Sequence, residues 1–94
     1  MASVLRWDPK KARSNLRKHG VTFEEAASVL SDILSVTIGD PLHSIDENRF
    51  VTIGRSKRGR TLVVVQSESG ETIRIISARL ATRQEGKKYR EGTL

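Results

Sequence analysis

Apolar positions along this chain follow a helical period first and a strand period afterwards. Val4 and Leu5 sit in a short patch, Ser3–Trp7, that reads as an edge strand. Asp8-Pro9 opens a helix: Asp8 can cap it, and Pro9 takes the first position, where a missing N–H costs nothing. The helix runs to about Lys18 on a thin apolar stripe, Ala12 and Leu16, with Trp7 covering its entry and Gly20 ending it. Thr22 starts a second helix. Glu25 completes a capping box, Val21 staples onto Ala26, and Ala26, Ala27, Val29 and Leu30 form the buried face.

From Ile33 the period becomes two. Ile33–Ile38 reads as a strand broken by Gly39-Asp40-Pro41. A polar loop carrying His43, Asp46 and Glu47 follows. Arg49–Ser56, Arg60–Ser67 and Glu71–Ser77 are three further strands joined by tight hairpins at Lys57-Arg58-Gly59 and Glu68-Ser69-Gly70. Arg79 falls at the corner just past the last strand. Thr82 and Glu85 then form a capping box for a final helix bearing Arg83, Lys87, Lys88, Tyr89 and Arg90. The order β-αα-ββββ-α predicts a single α+β domain over residues 1–94: an antiparallel sheet of about four to five strands with helices packed on one face.

Composition narrows the function. Net charge is +6 over 94 residues, which suits a polyanionic partner. Cysteine is absent, so disulfides and thiolate metal sites are excluded. His19 and His43 are far apart, with no spacing that suits a metal, and no glycine-rich phosphate loop is present; neither metal nor cofactor is expected. No apolar run approaches the ~18 residues of a membrane span, and the N-terminus lacks a signal-peptide core, so a cytoplasmic protein without membrane contact is expected. The helix–turn–helix corner at His19–Glu25 is a poor DNA reader, because Glu24 and Glu25 would repel phosphate.

The polyanionic partner can be nucleic acid or an acidic protein, and for the first the sequence offers residues suited to metal-free RNA cleavage. That reaction needs a base for the 2′-hydroxyl, an acid for the leaving 5′-oxygen, and cations for the phosphorane. Arg49, Arg60, Arg74 and Arg79 lie on or beside strands, and a guanidinium fork suits phosphate oxygens. Arg74 interrupts the apolar run I-R-I-I, where a charge is expensive unless its face is open to solvent or ligand. Glu47 and His43 are the base candidates; Tyr89, His19 or a lysine is the acid candidate. Arg83, Lys87 and Lys88 add RNA-binding charge on the last helix.

Several stretches carry a resemblance. W-D-P-x-K-A-x-x-N-L-x-K-H-G-V-T-F-E-E-A (Trp7–Ala26), D-x-x-H-S-x-x-E-x-R (Asp40–Arg49), I-G-x-S-x-x-G-R (Ile53–Arg60) and R-I-I-S-A-R-x-A-T-R-x-E (Arg74–Glu85) resemble the BrnT family of type II toxins. The resemblance implies a RelE-like ribonuclease fold, cofactor-free RNA cleavage that arrests growth, and neutralisation by a BrnA antitoxin. It further implies that the antitoxin carries a ribbon-helix-helix DNA-binding part, so that the complex represses its own operon. Because ribbon-helix-helix proteins dimerise, a heterotetramer of two toxins and two antitoxins is expected, meeting operator DNA only through the antitoxin. Leu80 and Gly86 depart from the family pattern, each standing where a basic residue is common. Gly86 also predicts a frayed last helix. The competing reading is a non-catalytic basic module that holds a DNA-binding partner, or binds nucleic acid, without cleavage.

Overall fold

The computed structural model of the chain describes residues 4–40 and 48–92. Among the described residues the order is β1 (Val4–Arg6), α1 (Pro9–His19), α2 (Phe23–Val29), β2 (Val36–Gly39), β3 (Asn48–Arg55), β4 (Thr61–Ser69), β5 (Thr72–Leu80) and α3 (Arg83–Glu91). The strands form one sheet in the order β1-β5-β4-β3-β2. β2 to β5 are an antiparallel meander, as the hairpin signals predict, with positive φ at the turn glycines Gly59 and Gly70. β1 joins the far edge parallel to β5, so the sheet is mixed. The α1–α2 crossover between β1 and the meander makes this possible, since parallel neighbours need a long connection. None of the helices among the described residues is long and apolar enough to cross a membrane.

Both early helices start where their caps direct. The Asp8 side chain accepts from Lys10 N, and Gly20 closes α1 in the left-handed region at φ 68°. The Thr22 hydroxyl accepts from Glu25 N at 3.0 Å. The reciprocal half of that expected capping box is missing, because the Glu25 carboxylate turns inward instead. The core lies between these helices and one sheet face: Val21, Phe23, Ala26 and Val29 pack on Leu62, Val64, Ile75 and Ala78. Trp7 closes the entry edge-on to Phe23, ring centroids 6.0 Å apart at 80°. Leu16, read as part of the stripe, is half exposed. Its place toward the sheet is taken by Asn15, which donates from Nδ2 to Ala78 O at 2.8 Å and accepts at Oδ1 from Ala78 N at 3.0 Å. One side-chain amide thus serves the β5 edge where β1 has ended.

The stretch read as a strand from Ile33 starts later. Asp32 accepts from Leu34 N at 2.9 Å, which holds a turn there. Ile33 and Leu34 are 96% and 69% exposed, and pairing begins at Val36.

Register decides which side chains share a face. β4 alternates Leu62, Val64 and Gln66 toward α1–α2 and Val63, Val65 and Ser67 away from them. Val63 lies opposite Arg79, Val65 opposite Ser77 and Ser67 opposite Arg74. The register shifts between Val65 and Gln66, leaving Ile76 without an opposite number on β4. Arg74 and Arg79 are five positions apart, which strict alternation would put on opposite faces. This β-bulge puts them on the same one. α3 meets that second face through Glu85 and lies against β3, so the sheet carries helices on both sides.

Candidate active site

The second sheet face is where most of the candidate cations gather. Arg49, Ser67 and Arg74 lie in one row across β3, β4 and β5, and Arg79 lies in another. Two intervals of alternation separate the rows, about 13 Å along the strand. Arg79 belongs to β5 rather than to a corner beyond it. The cost of Arg74 in an apolar run is resolved by exposure of its face.

Arg79 is held end-on. Its Nη1 and Nη2 donate to Glu85 Oε1 and Oε2, both at 2.8 Å, and Nη1 also reaches Leu80 O at 3.3 Å. Glu85 Oε1 accepts Thr82 N as well, at 2.8 Å, completing the α3 capping box. The bidentate bond from Arg79 outweighs the opposing effect of burial and holds the Glu85 carboxyl at about 2, while Arg79 is raised by the same bond. The Arg79 side chain remains 42% exposed. End-on pairing occupies the Nη1/Nη2 edge of the guanidinium and leaves the Nε edge for a second bidentate acceptor.

Tyr89 stands one turn beyond Glu85 and faces a different place. Its hydroxyl donates to Asp32 Oδ2 at 2.6 Å, and that oxygen also accepts Arg55 N at 2.8 Å. The bond to Asp32 raises the Tyr89 pKa, keeping its proton in place. Burial pushes Asp32 upward, but the Arg55, Tyr89 and Leu34 donors prevail and its carboxyl is lowered. Tyr89, Asp32, Arg55, Ser56 and Lys57 line a cleft of about 770 Å³ at the α3 C-terminal end.

Of the other candidates, Arg83, Lys87 and Lys88 are exposed along α3. His43 and Glu47 lie outside the described residues. Arg60 goes to the opposite side of the sheet: its Nε donates to Glu25 Oε2 at 2.9 Å, and its Nη2 donates to Gly20 O at 3.1 Å and to Glu25 Oε1. Ser56 Oγ donates to Glu25 Oε2 at 2.7 Å. Glu25 is 2% exposed, and the Arg60 bond leads the influences that lower its carboxyl. Arg60 therefore ties the β3–β4 hairpin to α2.

The family model for the ribonuclease toxin BrnT of type II toxin–antitoxin systems matches residues 7–85. The chain belongs to the BrnT family. It is also similar to the crystal structure of the Brucella abortus ribonuclease toxin BrnT, with a TM-score of 0.62, 24% identity, and 88% of this chain and 100% of that chain covered. That likeness concerns the fold. No curated protein sequence matches the chain. As a BrnT toxin it is a ribonuclease that has an antitoxin as its partner.

Within this BrnT domain, Leu80 is half exposed at the end of β5. Gly86 does not fray α3, which runs unbroken from a complete capping box to Gly92 in the left-handed region. Sequence reasoning missed Asn15, Asp32 and the inward turn of Glu25. The available signals were a polar residue beside a thin helical stripe and a second glutamate that stands next to the apolar Ala26 and Ala27 at the start of a short helix.

Proposed function

We propose that the toxin arrests growth by metal-independent cleavage of RNA on the arginine-bearing sheet face. The observation that carries this reading is the β5 bulge, which places Arg74 and Arg79 on one face while Glu85 leaves the Nε edge of Arg79 open. A scissile phosphate bound there receives two N–H donors that gain strength as the phosphorane develops charge. A base takes the 2′-hydroxyl proton, the 2′-oxygen bonds to phosphorus, the bond to the 5′-oxygen breaks, and an acid protonates that oxygen. His43 and Glu47 are the base candidates; Tyr89, His19 or a lysine is the acid candidate, Tyr89 only once its hydroxyl leaves Asp32. Arg74 and Arg49 hold backbone further along, and Arg83, Lys87 and Lys88 supply sequence-independent attraction. Metal independence is supported by the lack of cysteine and of any metal-like histidine spacing.

The partner in this reading is a BrnA-like antitoxin with a ribbon-helix-helix part, acting in the cytoplasm. It covers the basic face in a complex of two toxins and two antitoxins, and the operon is repressed through the antitoxin. Incubating the purified chain with a defined RNA in EDTA tests the chemistry. Cleavage that leaves 2′,3′-cyclic phosphate ends is expected to persist; loss with EDTA and recovery with Mg²⁺ would overturn it.

A further inference from the structure

Arg6 and Arg74 lie directly opposite each other in the parallel register of β1 and β5, and both are exposed. Adjacent strands are about 4.8 Å apart, and like charges placed opposite one another on them repel. Among the described residues neither arginine side chain has a hydrogen bond or an ion pair. The repulsion is thus uncompensated within the fold, and an anion between the two guanidiniums would relieve it. Arg6 precedes the segment matched by the family model, residues 7–85, so family membership assigns it nothing.

The pair has an aromatic neighbour. The chain passes straight from Arg6 to Trp7, and Leu5, Arg6, Trp7 and Arg74 line a cavity of about 370 Å³. Phe23 meets the indole from the core in a T-shaped contact at 6.0 Å, which fixes the ring; Trp7 is mostly buried and keeps only a minor part of its surface exposed, at this cavity. Cations beside a fixed, partly exposed aromatic ring are the elements that single-stranded nucleic acid uses: phosphate on the guanidiniums and a base against the ring. An acidic peptide would satisfy the charges and leave the indole unused.

We propose that Arg6, Arg74 and Trp7 form a nucleotide subsite at the β1 edge that binds single-stranded RNA outside the scissile phosphate. Arg6 extends the row of Arg74, the buried Ser67 and Arg49 to the sheet edge, about 13 Å along the strand from the Arg79 row. The subsite rests on the ribonuclease reading of the same face. It adds a second anchor, so its contribution is to affinity and to the path of the strand.

The chain has a single tryptophan, so Trp7 emission reports on this place alone. The test titrates the full chain with a short single-stranded 2′-deoxy oligonucleotide, which keeps phosphates and bases but lacks the attacking hydroxyl. Quenching of Trp7 is expected. Arg6→Ala should weaken binding roughly tenfold and lower the salt slope by about one, and Arg6→Lys should restore the slope but only part of the affinity. Poly-glutamate at equal charge should leave the emission unchanged. Cleavage of RNA by the wild type, with unchanged Trp7 emission and full affinity in Arg6→Ala, would overturn the subsite alone. A wild type that neither binds nor cleaves RNA would overturn the ribonuclease reading and the subsite together. Equal quenching by poly-glutamate would overturn the assignment to nucleic acid.

Discussion

Glu85 grips both Nη atoms of Arg79 at 2.8 Å and, through the same Oε1, accepts the Thr82 N–H at 2.8 Å. One carboxylate therefore starts α3 and orients the guanidinium proposed to hold the scissile phosphate. The pair is partly exposed, so its worth lies in geometry more than in stability.

Arg79→Ala should lower RNA cleavage by ~10²–10³, the usual cost of losing a transition-state donor. The fold should survive, because a partly exposed pair contributes under ~1 kcal/mol. Far-ultraviolet circular dichroism alongside a cleavage assay checks this. A folded variant with full activity would remove Arg79 from the chemistry.

The same pair predicts acid behaviour. The Glu85 carboxyl falls from its ordinary 4.5 to about 2 on folding. A depressed carboxyl adds stability that is fully present above the unfolded value and is lost as pH drops toward the folded one. Wild-type melting temperature should therefore decline between pH 4.5 and about 2. Glu85→Gln should start lower at neutral pH and decline less over that window. Parallel wild-type and variant slopes there would contradict the assignment.

Two glycines should respond in opposite senses to alanine. A Cβ at Gly54 would lie 2.9 Å from Val29 Cγ1 and 3.0 Å from Ser35 Cβ, so Gly54→Ala must push α2 off β3 and destabilise the domain by about 1–3 kcal/mol. Among the described residues a Cβ at Gly86 meets nothing nearer than Arg90 Nη1 at 3.5 Å, so Gly86→Ala should gain about 0.5–1 kcal/mol from helix propensity. Urea midpoints of both variants are the measurement; a loss at Gly86 would mean that α3 needs closer contact with the sheet than its geometry indicates.

Arg60→Ala should act on stability and leave the RNA face alone. It strips the bidentate partner from a carboxylate that is 2% exposed, leaving Ser56 and the more distant Arg58 at 3.6 Å. A clear fall in melting temperature is expected, larger than for Arg58→Ala. Unchanged melting with weakened RNA binding would return Arg60 to the RNA-binding set.

DNA recognition should belong to the complex. In a gel shift with operator DNA, the toxin alone should bind weakly and with steep salt dependence, as expected of a +6 chain, while the complex with its antitoxin binds specifically. Specific binding by the toxin alone at moderate salt would contradict the proposed division of labour.

Much of this architecture was legible in the sequence because local chemistry agreed with it. Asp8-Pro9, Thr22 and Thr82 begin helices, and Gly59 and Gly70 turn hairpins, where their intrinsic preferences place them. The unreadable parts depend on contacts distant in the chain. Nothing local in I-R-I-I-S-A-R reveals that Ile76 drops out of register, so the shared face of Arg74 and Arg79 could not be deduced from alternation. The parallel docking of β1 and the placement of α3 on the second face are likewise set by the assembled sheet. Arg60 was readable as a cation but not as the partner of Glu25, because those residues are 35 positions apart and meet only in the fold.

The amide of Asn15 has one more consequence. β1 covers β5 only from Thr72 to Arg74, so beyond it a sheet edge would present unpaired backbone groups to any passing chain. Such edges template strand-to-strand aggregation. By occupying both the N–H and the C=O of Ala78, Asn15 withdraws that template from other molecules. A toxin released from its antitoxin has to remain dispersed in order to act, and a single buried asparagine closes this stretch of edge to strand-to-strand pairing.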